Sequence, residues 1–94
     1  MWININTNVV HQIGYVEAVF LEYMDDTNPT NNIIRLNVSK VCRKYKIPIS
    51  TGQRAIRNLS TKGYLEKHSS TKYTLGDKFY STFPEYLLKS HNYG

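Results

Sequence analysis

The chain has 94 residues and a mass of 11.0 kDa, which is enough for one domain and too little for two independent cores. Hydrophobic residues make up 40% of it and charged residues 20%, a balance typical of globular proteins. No apolar run approaches the roughly 18–20 residues that a membrane helix needs, and the N-terminus has no basic segment before an apolar one. We therefore expect no membrane anchor and no secretory signal. The single cysteine, Cys42, excludes an intrachain disulfide and indicates a reducing, cytoplasmic compartment.

The charged residues are strongly segregated along the chain. Residues 1–34 contain four acidic residues and no Lys or Arg, whereas residues 35–78 contain eleven basic residues and two acidic ones. The net charge of +5 is therefore concentrated in the second segment. Such a distribution favours a positive surface that meets an anionic partner. The alternative is a basic surface that only faces solvent.

Weak alternation predicts a short strand at residues 2–6, followed by a short helix that ends near Ile13 and is capped by Thr7 or Asn8. Gly14 interrupts it. Apolar spacing predicts a second helix over residues 15–24, with Glu17, Glu22 and Asp25 on its polar side. Its inner stripe consists of Val16, Val19, Phe20, Tyr23 and Met24.

A turn-rich loop over residues 25–32 leads to a strand-like segment at 33–36. Asn37 is a favourable N-cap for a helix over residues 38–45. Its predicted inner stripe is Val38, Val41, Cys42 and Tyr45, and the opposite face carries Lys40, Arg43 and Lys44.

Pro48 predicts a break before the next helix. Ser50 and Gln53 have the spacing of a capping box, which opens a helix that runs to about residue 62 and ends at Gly63. The inner stripe of this helix is Gly52, Ala55, Ile56 and Leu59, and its outer face carries Thr51, Gln53, Arg54, Arg57, Asn58 and Thr61.

Two strands are predicted at residues 64–68 and 72–75, joined by a tight turn at 69–71. A last helical region over residues 77–90 follows. It contains an apolar stripe, and Thr82 and Glu85 within it have the spacing of a second capping box. The stripe consists of Phe79, Tyr80, Phe83 and Leu87.

The segment from Ile47 to Leu65 resembles the turn, recognition helix and first wing strand of winged helix-turn-helix domains, and Tyr73 to Lys78 resembles the second wing strand and the start of the closing helix. The resemblance implies an α+β, mostly helical single domain over residues 1–94. It would have a helix-turn-helix at 37–63, a short two-stranded wing at 64–75, and extra N- and C-terminal helices. The N-terminal part, with Trp2-Ile3 before a helix that contains Glu17-Ala18, faintly resembles regulator and replication-initiator domains of phages and plasmids. Gly52 departs from the family pattern, which has a small or branched apolar residue there.

This resemblance implies sequence-specific binding of double-stranded DNA by a small transcription regulator. Arginine can pair bidentately with guanine, and the amides of Gln53 and Asn58 suit adenine. The expected base-reading residues are Thr51, Gln53, Arg54, Arg57, Asn58 and Thr61. The expected phosphate contacts are Lys40, Arg43, Lys44 and Ser50 in the helical part, with Lys67, His68 and Lys72 in the wing.

The sequence also allows other interpretations of single residues and of the whole chain. Arg54 can instead pair with Glu66, and Cys42 is a natural small core residue. The whole chain can instead bind structured RNA, as a ribosomal-type winged helix does, or act as a protein-interaction adaptor or replication-initiation accessory. Because His11, His68 and His91 are far apart in the sequence, we expect no metal site. The chain has no glycine-rich phosphate loop and no GxSxG elbow, so we expect no enzyme activity and no cofactor.

One winged helix usually reads a half-site, so a homodimer is expected. The acidic N-terminal segment and the aromatic C-terminal stripe are its candidate surfaces. The sequence indicates no small-molecule effector and no membrane partner.

Overall fold

The computed structural model describes residues 6–87, within which it has five helices and three strands. They are α1 (Thr7–Ile13), α2 (Tyr15–Thr27), β1 (Ile34–Arg35), α3 (Val38–Tyr45), α4 (Ile49–Thr61), β2 (Leu65–Lys67), β3 (Lys72–Leu75) and α5 (Asp77–Thr82). The predicted α+β, mostly helical class is confirmed. The strand predicted at residues 2–6 lies outside the described part, apart from Asn6. No helix within residues 6–87 combines the length and apolarity that crossing a membrane requires.

Helix α2 lies at the centre of the fold and runs three residues beyond its predicted end. It packs against α1, α4 and β3, and its side chains from Ala18 to Glu22 are all buried. The prediction that Glu22 and Asp25 lie on a solvent-facing side is wrong, because they are only 7% and 4% exposed. The reason is that neighbouring elements cover α2 on more than one side, so it has no continuous polar face.

Glu22 is held by a buried hydrogen bond from the C-terminal part of the chain. The Tyr86 hydroxyl donates to Glu22 Oε1, and Tyr86 is itself only 4% exposed. Burial, followed by the hydrogen bond to Glu22, raises the pKa of Tyr86 above its ordinary value of 10.0. Because both groups are buried, removing either partner of this hydrogen bond costs stability.

The strands form one antiparallel sheet in the order β1–β3–β2. Its central strand, β3, pairs Tyr73 with Ile34 on one side and with Lys67 on the other. The predicted two-stranded wing is therefore corrected to a three-stranded sheet. Strand β1 has only two residues, and its pairing depends on tertiary contacts that no local pattern encodes.

An asparagine side chain extends this sheet beyond its strands. The Asn31 amide accepts from the Leu75 backbone N–H at 2.7 Å and donates to the Leu75 carbonyl at 2.9 Å. The Asn31 side chain thereby makes the two hydrogen bonds that a backbone residue of a neighbouring strand would make, and it connects the loop after α2 to the end of β3. Asn31 has a φ of 53°, a conformation that asparagine adopts more readily than most residues.

Two helix starts differ from the predicted ones. Asn6, rather than Thr7 or Asn8, caps α1 by accepting from the Asn8 N–H. Helix α4 begins at Ile49 with Pro48 as N-cap and no side-chain cap, so the capping box of Ser50 and Gln53 is not formed. Because the Pro48 carbonyl already accepts from the Gly52 N–H at 3.0 Å, Ser50 lies within the first helical turn. The predicted cap of α3 is confirmed, since Asn37 Oδ1 accepts from the Lys40 N–H.

The C-terminal helical region is interrupted at Phe83, and a further helical turn covers residues 85–87. Thr82 is the last residue of α5, and the Glu85 carboxylate accepts from the Asn6 side chain, so the second capping box is not formed. Phe79 and Phe83 are completely buried. The aromatic stripe is therefore mainly core, and as a dimer surface it is limited to its exposed end at Leu87.

Helix α3 ends in a left-handed turn at a residue that is not glycine. Lys46 has φ 57° and ψ 45°, which allows the Ile47 N–H to donate to the Cys42 carbonyl at 2.8 Å. This closes α3 and turns the chain towards α4. A β-carbon in this conformation costs roughly 1–2 kcal/mol.

We expect Lys46→Gly to stabilise the fold by about 0.5–1 kcal/mol. Relief of the left-handed strain outweighs the roughly 0.5–1 kcal/mol entropic cost of glycine. Urea unfolding measures the change. Arg43→Gly, in the right-handed body of α3, is the control and should destabilise by about 1 kcal/mol. A loss of stability in Lys46→Gly would contradict the assigned turn.

We expect Tyr86→Phe to destabilise the fold by roughly 1–3 kcal/mol at pH 7, because Glu22 then loses a hydrogen-bond donor. Because the pKa of Tyr86 is raised in the folded state, the Tyr86 hydroxyl ionises at a lower pH in the unfolded chain than in the folded one. The stabilising contribution of this hydroxyl is therefore complete below pH 10 and is lost as the pH rises above that value. The fall in stability above pH 10 should therefore be shallower in Tyr86→Phe. An equally steep fall, measured by circular dichroism, would contradict this role.

Candidate nucleic-acid interface

The position of α4 depends on a close approach to α3 at Gly52. A β-carbon at this position would overlap Cys42 Sγ and would lie 3.4 Å from Phe20 Cζ. Burial raises the pKa of the Cys42 thiol, which keeps it in the uncharged form that suits a packing residue. The missing side chain at Gly52 is thus what allows α4 to pack closely against α3 and α2.

The end of α4 sets the position of the hairpin that follows. Gly63 has a φ of 85°, as the predicted left-handed end requires, and the Tyr64 N–H donates back to the Leu59 carbonyl at 2.9 Å. Together, the left-handed Gly63 and this hydrogen bond end α4. Strand β2 begins at Leu65, so the hairpin lies directly beside the last turn of α4.

One side of α4, the start of α3 and the sheet together form an open groove of about 300 Å³. Val38, Ile56 and Tyr73 supply its apolar part. Its polar residues are Gln53, Arg57, Ser60, Thr61 and Lys67. The groove residues include two cations and no acid, so the groove favours an anionic or hydrogen-bonding partner.

Three of the predicted base-reading residues line this groove: Gln53, Arg57 and Thr61. They recur at helical spacing on one side of α4. Arg54 is exposed but is not among the groove residues, while Thr51 and Asn58 are half-buried. The structure therefore brings half of the predicted set together, and Gln53 and Arg57 are its exposed members with the greatest hydrogen-bonding capacity.

The predicted phosphate-contact residues of the helical part lie around the junction of α3 and α4. Lys40 and Arg43 are exposed on α3. Lys44 is also exposed, but its ammonium lies 5.9 Å from the Tyr23 ring centre and 5.6 Å from that of Tyr45, so aromatic contacts hold it. Ser50 is exposed in the first turn of α4.

The three predicted phosphate-contact residues of the hairpin lie on both faces of the sheet. Lys67 lines the groove beside Tyr73. His68 lies on the other face, where its Nε2 is 2.8 Å from Thr74 Oγ1. Lys72 shares that face with Thr74, because alternate residues of a strand project to the same side.

The structure adds groove residues that sequence analysis did not select. Ser60 lies three residues after Arg57, so helical spacing places it beside a residue that was already selected. Val38 and Tyr73 come from other elements, and only the packing of α3 and the sheet against α4 reveals them. Within residues 6–87, no three His, Cys, Asp or Glu side chains are grouped closely enough to hold a metal ion.

Comparisons of the chain with models of protein families, with curated proteins and with solved structures find no match.

A double-mutant cycle at Gly52 and Cys42 tests what positions α4. Gly52→Ala should destabilise the fold, since the new methyl group overlaps Cys42 Sγ and overpacking costs roughly 1–3 kcal/mol. Cys42→Ala removes that sulfur, so Gly52→Ala should cost less stability when Cys42 is already alanine. We expect the double variant to be at least about 1 kcal/mol more stable than the sum of the single effects, as measured by urea unfolding. Additive effects would show that the two positions are not in contact.

Proposed function

We propose that the chain is a winged-helix protein that binds double-stranded DNA sequence-specifically and acts as a small transcription regulator. The observation that carries this proposal is the groove, in which Gln53, Arg57 and Thr61 of α4 meet Lys67 of the hairpin. The arrangement of α3, the turn at Lys46, α4 and the three-stranded sheet is compatible with such a fold.

In this proposal α4 enters the major groove as a recognition helix. Arg57 has the five donors of a guanidinium and can grip the O6 and N7 atoms of guanine, while the Gln53 amide suits the N6 and N7 atoms of adenine. The two residues are four apart on α4, about one helical turn. They are therefore expected to address neighbouring base pairs.

The phosphate contacts in this proposal come from both sides of α4. Lys40 and Arg43 are exposed on α3, and the unbonded backbone amides at the start of α4 near Ser50 add partial positive charge. Lys67 contributes from the hairpin. Phosphate contacts set orientation and affinity rather than sequence, so this group and the groove residues should respond differently to mutation.

We further propose that two copies bind adjacent half-sites, because one recognition helix reads only a few base pairs. Neither predicted dimer surface is available as a whole. Glu22 and Asp25 of the acidic segment are buried, as are Phe79 and Phe83 of the aromatic stripe. The homodimer thus rests on the half-site argument alone.

Arg57→Ala and Lys40→Ala separate base reading from phosphate binding. We expect Arg57→Ala to weaken binding to a duplex selected from a random pool by about 1–3 kcal/mol, and to weaken binding to a scrambled duplex much less. Lys40→Ala should weaken both equally and reduce the salt slope by about 0.9. Fluorescence anisotropy at several salt concentrations measures both. Equal weakening by Arg57→Ala would exclude its role in sequence reading.

Joint reversal of Arg54 and Arg57 to Glu distinguishes the broader alternatives. Loss of duplex binding with an unchanged melting temperature supports the proposed function. The control, joint reversal of Lys62 and Lys78, changes the charge by the same amount away from the groove and should retain binding. A parent chain that prefers structured RNA would indicate the ribosomal-type alternative. A parent that binds neither nucleic acid in a salt-dependent way would indicate the adaptor.

A further inference from the structure

The segment over residues 31–36, which contains β1, lies along the length of β3 and forms one edge of the sheet. The Asn31 side chain holds its start, β1 pairs with β3 in its middle, and at its end the Leu36 N–H donates to the Thr71 carbonyl at 2.8 Å. Within residues 6–87, β3 is the only element against which β1 packs extensively. About six residues is a usual strand length. We call residues 31–36 the β1 edge.

The backbone groups of two residues point outward from the β1 edge. In an antiparallel pair, successive residues turn their N–H and C=O groups alternately towards the partner strand and away from it. Because Leu36 and Ile34 turn theirs towards β3, Ile33 and Arg35 turn theirs away. In the described part of the chain, no hydrogen bond outside the ladder reaches the backbone of Ile33 or Arg35. A peptide strand offers both donors and acceptors to such an edge, whereas phosphate groups only accept.

The side chains of the β1 edge combine apolar surface with one cation. Ile33 is 56% exposed, which is unusual for a large apolar residue of this fold. Arg35 is also exposed and shares the outer face of the sheet with Ile33, because alternate residues of a strand project to the same side. Ile34 projects to the other side, where it is half-buried and packs against the core.

The charge around Arg35 is unbalanced within the sheet. Lys72 of β3 lies directly opposite Arg35, and like charges in that position destabilise a sheet. Glu66 is the only acidic residue of β1, β2 and β3, and it belongs to β2 at the other edge. A second copy of β1 would add a further arginine, so Arg35 disfavours pairing of the protein with itself. An acidic side chain on an added strand would instead replace repulsion with attraction.

We propose that the β1 edge binds an extended acidic peptide segment of a partner protein, which adds a strand to the sheet. Main-chain hydrogen bonds to Ile33 and Arg35 supply affinity. An acidic residue opposite Arg35 and apolar residues opposite Ile33 and Ile34 supply specificity. None of these three residues lines the groove beside α4, so the inference is independent of the proposed function and leaves α4 available to a duplex.

Backbone methylation of a peptide probe tests strand addition on the unmodified full-length chain. The probe is the capped peptide Thr-Val-Glu-Val-Val-Thr, added to isotopically labelled protein and followed by amide chemical shifts, which should centre on residues 31–36. With its glutamate opposite Arg35, an antiparallel strand donates the glutamate N–H to the Arg35 carbonyl and turns the N–H of the next valine away.

Methylation of the glutamate nitrogen should therefore weaken binding at least about tenfold, because the hydrogen bond is lost and the methyl group obstructs the edge. Methylation of the next valine nitrogen is the matched control and should leave binding nearly unchanged. This pair of probes needs no protein variant, so it stays decisive even if a substitution at the edge disturbs folding.

Exchange of charge tests the preference for an acidic segment. The parent should bind the glutamate probe about fivefold more tightly than the same peptide with lysine in place of glutamate. Arg35→Glu should reverse that preference, and its melting temperature should not fall, because the like charges opposite Lys72 are removed. Lys62→Glu is the control: it changes the net charge equally at an exposed residue outside the β1 edge and should keep the parent's preference.

The absence of shifts at millimolar peptide would overturn the inference, as would shifts centred on the groove residues. Equal effects of the two methylations would show charge attraction without strand addition, which also overturns it. Shifts over residues 31–36 caused by a duplex and not by the peptide would assign the edge to nucleic acid instead. Duplex binding by α4 is measured separately, so the β1 edge and the proposed function can fail independently.

Discussion

The close packing of α4 against α3 is the constraint on which the candidate interface depends. Gly52 lies so close to Cys42 that a β-carbon at position 52 would overlap the Cys42 sulfur, and Phe20 of the central helix lies against the same place. This contact fixes how far α4 stands from the core. The Lys46 turn before it and the Gly63 turn after it then fix where its outer face and the hairpin meet. These three features position the α4 side of the groove, and the sheet supplies Lys67 and Tyr73.

The remainder of the fold supports that arrangement by burying α2 and enclosing two of its acids. Glu22 and Asp25 are buried, and Tyr86 donates to Glu22. This burial leaves fewer acidic side chains on the surface of the acidic half of the chain. The basic residues of α3, α4 and the sheet are exposed, so the surface of these elements carries more basic than acidic side chains. Long-range attraction of an anionic polymer is a general consequence of such a surface.

Local signals predicted the parts of the fold that local chemistry determines. The bounds of α3, the Asn37 cap and the left-handed end at Gly63 follow from the sequence, because caps and helical periodicity act over a few residues. The pairing of β1 with β3 and the burial of Glu22 did not follow, since both depend on residues distant in the chain. Helical spacing likewise placed Gln53, Arg57 and Thr61 on the outer face of α4. It placed Thr51, Arg54 and Asn58 there as well, and only the packing of the sheet shows which of the six line a groove with Tyr73 and Lys67.

The central claim is that the outer face of α4 and the adjoining hairpin meet a duplex. A titration of the isotopically labelled full-length chain with a selected DNA duplex, followed by amide chemical shifts, tests it most directly. We expect shifts concentrated in residues 49–61 and 67–72, with few in α1 and α5. Shifts centred on α1 and α5, or no shifts at concentrations where salt-dependent binding is expected, would contradict it.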